Sequence, residues 1–161
     1  MILLDTSGLL SALDESQRYH DECARLLGAA SPPLLLSPFV LAELDYLLMR
    51  HIGQSAQTAF LEEVARGAYQ LEQFDAADVA RAREIIAKYD DLEIGLADAS
   101  IVVLAERYAV SEVLTLDQRH FRAMRVGATQ AVQAVARRPV GESGVRLPDG
   151  LPASLAASSS Y

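Results

Sequence analysis

Apolar positions along this chain fall into two kinds of run. Ile2-Leu3-Leu4, Leu34-Leu35-Leu36 and Val113-Leu114 are short, continuous and bounded by polar or turn-forming residues. Such runs predict strands buried on both faces. Longer segments place apolar or small residues at helical spacing and predict helices. The pattern gives strands over 1–5, 34–36, 68–74 and 112–116. It gives a helical turn over 8–13 and helices over about 15–27, 38–51, 55–66, 76–89, 96–108 and 118–124. A fifth strand is placed near 129–135, where Gln-Ala repeats also suit a helix.

Local chemistry supports the boundaries. Ser37 is an N-cap, with Pro38 at the first helical position. Gly53 ends that helix. Asp75 caps the next long helix, and Asp78 adds a favourable charge in its first turn. The 38–51 helix is apolar nearly all round, which predicts a buried helix. Strands separated by helices define an α/β chain with a mostly parallel sheet covered on both faces. The segment 139–161 is rich in Pro, Gly, Ser and Ala and is expected to be a poorly ordered tail on a domain of residues 1–138.

Composition narrows the classes. The chain has 161 residues, half of them apolar, enough for one domain with a real core. No apolar run approaches the roughly 20 residues that span a bilayer, and no secretory signal pattern is present. Cys23 is the single cysteine, which excludes an intrachain disulfide and fits the cytoplasm. His20 and Cys23 stand one helical turn apart without a second ligand pair, so a core cysteine beside a surface histidine is the expectation, not zinc. The net charge of −8 disfavours a passive nucleic-acid binder. It leaves room for a nuclease whose acids surround metal ions. Lys88 is the sole lysine beside 13 arginines.

Four acids stand out. Asp5 and Asp117 each follow a predicted strand, so both fall on the carboxyl rim where open parallel sheets bind ligands. A lone Asp there is ordinarily a turn or cap residue; two on one rim weaken that explanation. Asp98, in Gly95-Leu96-Ala97-Asp98-Ala99-Ser100, opens an apolar helix, where capping is again the simple role. Its small and apolar neighbours predict a close-packed site. On a wheel of about 100° per residue, Glu43 emerges between Phe39 and Leu47 on an apolar face. A buried carboxylate there needs a partner or a metal, unless it reaches out to the edge of the core. Asp45, on another face of the same helix, is the alternative functional acid. Converging carboxylates repel one another unless a hard divalent cation joins them, and Mg²⁺ and Mn²⁺ take oxygen ligands.

Met1-Ile2-Leu3-Leu4-Asp5-Thr6-Ser7, Leu41-Ala42-Glu43-Leu44, Gly95-Leu96-Ala97-Asp98-Ala99 and Leu114-Thr115-Leu116-Asp117 together resemble a PIN domain, and more closely the VapC-type toxins of bacterial toxin–antitoxin pairs. The ordered set runs from residue 1 to about 125. The resemblance implies a three-layer α/β/α sandwich and Mg²⁺- or Mn²⁺-dependent RNA cleavage. It selects Glu43 over Asp45. It makes Asp5 and Asp98 the main metal ligands, with Glu43 and Asp117 completing the catalytic acids directly or through water. It also implies a small VapB-type antitoxin that brings a basic side chain to the acids, and a homodimer. Residues 38–51 and 55–66 are candidate contact faces, although burial within one chain explains their apolar character equally well. The strand expected after Asp117 is blurred in this sequence, and the tail has no counterpart in the family.

Thr6 and Ser7 are candidates to touch a ligand or orient an acid, with a local turn bond as the simpler role. Arg119, His120 and Arg122 are candidates for binding phosphate, or else belong to a solvated helix face. Two other classes compete. A phosphoryl-aspartate protein also carries an Asp at a strand end, but Ser7 stands where such phosphatases need a second Asp, and Lys88 has no motif around it. A non-catalytic PIN-like binding module is the other. Nucleotide binding through a phosphate loop is disfavoured, since no Gly-x-x-x-x-Gly-Lys motif exists.

Overall fold

A computed structural model describes residues 1–126, 130, 131, 133 and 134. The tail expected over 139–161 lies outside the described residues. The core is a parallel sheet in the order β3-β2-β1-β4-β7, formed by β1 (Ile2–Leu4), β2 (Leu34–Leu36), β3 (Gln70–Leu71), β4 (Glu112–Leu114) and β7 (Gln133–Ala134). Between them the chain forms α1 (Thr6–Leu13), α2 (His20–Ala29), α3 (Pro38–His51), α4 (Gln54–Ala65), α5 (Ala76–Lys88), α6 (Leu96–Tyr108) and α7 (Gln118–Ala123). A separate antiparallel pair joins β5 (Arg125–Val126) to β6 (Gln130–Ala131). The result is the three-layer α/β/α arrangement.

The centre of the sheet is where the sequence is most apolar. β1 is buried along its whole length between β2 and β4, with Leu3 opposite Leu35 and Val113. A central parallel strand has a helix layer on each face, so neither face tolerates a polar side chain. β3 is exposed and only two residues long. The expected strand over 68–74 is therefore cut short, because an edge position pairs and covers it on one side only.

Two boundaries agree closely with the caps. Ser37 Oγ accepts from the Phe39 amide with Pro38 behind it. Asp75 and Asp78 form a reciprocal capping box at the start of α5. α2 begins at His20, later than expected, after a turn in which Asp14 accepts from the Ser16 amide and hydroxyl and from Gln17. The expectation of a helix 38–51 buried all round is corrected. Only Val40, Leu44 and Leu48 are buried, a single stripe at i, i+4 and i+8, while Tyr46 and Met49 are 55% and 44% exposed. α1, α4 and α6 pack on α3, yet among the described residues the face carrying Tyr46 and Met49 stays exposed. Cys23 is fully buried beside Ala12, and His20 Nδ1 contacts the Ser11 carbonyl, consistent with a structural pair. No helix among the described residues is long and apolar enough to cross a membrane.

Candidate active site

All strand ends of a parallel sheet face one rim, and that rim gathers the acids. The Asp5 amide donates to the Leu114 carbonyl at 3.1 Å, carrying the β1–β4 ladder one step past the strands. The chain then turns at once into α1. This turn depends on Gly8: a β-carbon there would lie 2.3 Å from the Leu114 carbonyl oxygen, inside contact distance. Without a side chain, the first turn of α1 rests against the end of β4, and Asp5, Thr6 and Ser7 reach the residues that follow β4.

Asp5 is only 5% exposed. It stands at the N-cap position of α1, but its carboxylate is held by hydroxyls. Ser7 Oγ donates to Oδ2 at 2.5 Å and Thr115 Oγ1 donates to the same oxygen at 2.7 Å. Thr115 Oγ1 in turn accepts from the Asp117 amide, and Ser7 Oγ accepts from the Leu116 amide. The first and fourth acids are thus joined through one threonine. Thr6 turns the other way and donates to Glu43 Oε2 at 2.7 Å, linking the start of α1 to α3. Asp98, in the first turn of α6, accepts from the Gly95 amide at 3.0 Å. The fully buried Ser37–Ser100 hydroxyl contact, 2.6 Å long, ties the start of α3 to α6 and so relates Glu43 to Asp98.

The electrostatics show the acids sharing one field. Burial pushes the Asp5 carboxyl up to about 6, against the lowering effect of the Ser7 and Thr115 hydroxyls, and the Asp98 charge adds to the rise. Asp98 is also raised, first by burial. The Gly95 amide and His120 oppose that rise, while Glu43 and Asp117 reinforce it.

The structure therefore brings Asp5, Glu43, Asp98, Asp117, Thr6 and Ser7 to one rim, with two corrections. Glu43 is exposed, not set in an apolar face, because the buried stripe of α3 runs beside it through Val40 and Leu44. Asp98 is half-buried and its neighbour Leu96 is 38% exposed, so the site opens to solvent on the α6 side. Asp45 is engaged by Gln57 from α4, away from the cluster. His120, a candidate for phosphate, lies with Nδ1 2.8 Å from Asp117 Oδ2, an internal pairing. The Arg119 and Arg122 side chains lie outside the described part of the structure. Among the described residues, no three His, Cys, Asp or Glu side chains are gathered closely enough to hold a metal ion as they stand. The acids form a coupled group, not a closed cage.

Sequence reasoning missed Thr115 as an individual, although it lies in a quoted motif. It read Ser37 only as a helix cap. A hydroxyl inside an otherwise apolar strand end was the available signal for Thr115.

A parallel sheet with four coupled carboxylates on its carboxyl rim is the arrangement of a PIN domain, and the sequence pattern of that family matches residues 2–126; the chain belongs to the PIN domain family. Ribonuclease VapC26 of Mycobacterium tuberculosis is 43% identical over 124 residues, which cover 77% of this chain and 92% of that protein. Among solved structures, the Mycobacterium tuberculosis toxin VapC20, which cleaves the sarcin-ricin loop, superposes with a TM-score of 0.69 at 23% identity. That match covers 73% of this chain and 91% of VapC20. VapBC2 from Rickettsia felis, bound to a promoter DNA fragment, gives 0.56 at 20% identity over 77% of this chain and 93% of its own.

Proposed function

We propose that this PIN domain is a Mg²⁺- or Mn²⁺-dependent ribonuclease, acting as the toxin of a toxin–antitoxin pair. The observation that carries the reading is that Asp5, at the carboxyl rim, feels the charge of Asp98, which in turn feels those of Glu43 and Asp117. The 43% identity to a ribonuclease over most of both chains supports RNA as the substrate.

The donor set fits a hard cation. The four acids and the hydroxyls of Thr6, Ser7 and Thr115 all offer oxygen, and the one cysteine is buried elsewhere beside Ala12. Asp5 and Asp98 are the proposed ligands, with Glu43 and Asp117 completing the catalytic acids. The ion, when bound, supplies acidity to a water and neutralises charge on the scissile phosphate. Thr6 holds Glu43, and Ser7 and Thr115 hold Asp5, so the acids are oriented before substrate arrives. Cleavage is expected to leave a 5′-phosphate and a 3′-hydroxyl.

The proposed regulator is a VapB-type antitoxin that presents a basic side chain to the acids. The exposed apolar residues Tyr46, Met49 and Ile52 at α3 and Leu61 on α4 are the proposed surface for an antitoxin or for a second copy of the chain in a homodimer.

The test is cleavage of total cellular RNA by the wild type and by Asp5→Asn, with and without chelator. Metal-restored cleavage by the wild type alone is expected. Cutting that persists in excess EDTA, or at the wild-type rate in Asp5→Asn, would overturn the reading. Mapping the cut ends identifies the target.

A further inference from the structure

Thr115 makes no contact with solvent, yet its hydroxyl both donates and accepts. A hydroxyl has one proton and two lone pairs. The proton goes to Asp5 Oδ2, and a lone pair accepts the Asp117 amide at 2.9 Å. Ser7 divides its hydroxyl in the same way, between Asp5 Oδ2 and the Leu116 amide. The two hydroxyl oxygens are 3.3 Å apart, with both protons already committed to the carboxylate. Asp5 Oδ2 thus receives two donors, which matches the acceptor capacity of one carboxylate oxygen.

We propose that Thr115 is a positioning residue for the metal site: by bonding Oδ2 of Asp5 together with Ser7, it fixes the orientation in which this carboxylate meets the cation and locks the Asp117 turn to the same carboxylate. The inference rests on the metal-dependent reading above. A carboxylate on a single Cα–Cβ stem rotates freely unless its oxygens are bonded, and partners behind a ligand typically change metal affinity by about 10–100-fold. Asp5 and Thr115 are 110 residues apart, so this bond joins the two ends of the described domain.

The arrangement separates Thr115 from a core residue chosen for volume. Valine has nearly the shape of threonine and suits a strand end, but it leaves Oδ2 with one donor and the Asp117 amide without its acceptor. Serine keeps the hydroxyl and loses only a methyl group.

The experiment is Mn²⁺ titration by calorimetry on the wild type, Thr115→Val and Thr115→Ser, with circular dichroism on each and RNA cleavage at saturating Mn²⁺. The expected result is at least tenfold weaker Mn²⁺ binding for Thr115→Val, affinity within about threefold of wild type for Thr115→Ser, and a higher Mn²⁺ requirement for cleavage by the valine variant. Equal affinity in wild type and Thr115→Val overturns the inference and leaves the metal-dependent reading intact. A wild type that binds no Mn²⁺ overturns both. If Thr115→Val does not fold, Ser7→Ala removes the other donor to Oδ2 and leaves the Thr115–Asp117 bond in place. It is expected to weaken binding by a similar factor, and wild-type affinity in Ser7→Ala then overturns the inference.

Discussion

The Thr6 hydroxyl donates to Oε2 of Glu43 across 2.7 Å, joining the first turn of α1 to the exposed face of α3. Glu43 has no burial to hold it, so this bond sets its direction. Thr6→Val is expected to lower kcat for RNA by about tenfold, less than Glu43→Gln, with Thr6→Ser restoring most of the activity. Steady-state cleavage of a defined RNA checks the order Glu43→Gln, Thr6→Val, Thr6→Ser.

Asp98→Asn keeps the Gly95 contact available through its side-chain oxygen while removing the charge. It is expected to lower RNA cleavage by at least 100-fold with an unchanged circular dichroism spectrum. Retention of the wild-type rate would remove Asp98 from the mechanism.

Asp5 opposes folding when ionised. Its folded pKa of about 6 lies above the ordinary value of 3.8, so the folded protein holds the proton more tightly than the unfolded chain. The cost is complete above pH 6, declines as the pH falls, and is gone below about pH 4. In excess EDTA at pH 7, Asp5→Asn is expected to stabilise the domain by up to about 3 kcal/mol, from about 1.4 kcal/mol per pKa unit. Urea denaturation at pH 7 and pH 4 tests this, the difference between variant and wild type shrinking at the lower pH.

Gly8→Ala places a methyl group against the Leu114 backbone, which cannot move aside as a flexible side chain does. The expected loss is about 2 kcal/mol or more of stability. Because Leu114 precedes Thr115 directly, weaker Mn²⁺ binding should accompany it, read by melting temperature and titration on the same samples.

Ala109 ends α6 at φ 53°, the left-handed region that favours glycine. Ala109→Gly is expected to stabilise the domain by about 0.5 kcal/mol, since relief of the Cβ strain exceeds the added unfolded-state entropy. A higher melting temperature with unchanged cleavage checks it, far from the acids.

The elements of this protein were readable from near neighbours in the chain. Ser37-Pro38 opened α3, Asp75 with Asp78 opened α5, and continuous apolar triplets marked β1 and β2. Caps and periodicity act within one or two turns, so the sequence carries them openly. Asp5 and Asp117 were legible as a pair: one Asp past a strand is ordinarily a turn or cap residue, but two on the same carboxyl rim of a parallel sheet point to a site. Tertiary structure alone decided which side of α3 is buried, and so left Glu43 exposed. It also chose Thr115 as the residue that joins Asp5 to Asp117. The Thr115 link follows from the parallel register of β1 beside β4, a pairing of segments more than a hundred residues apart, and the buried side of α3 follows from its packing on α1, α4 and α6; no local pattern specifies either.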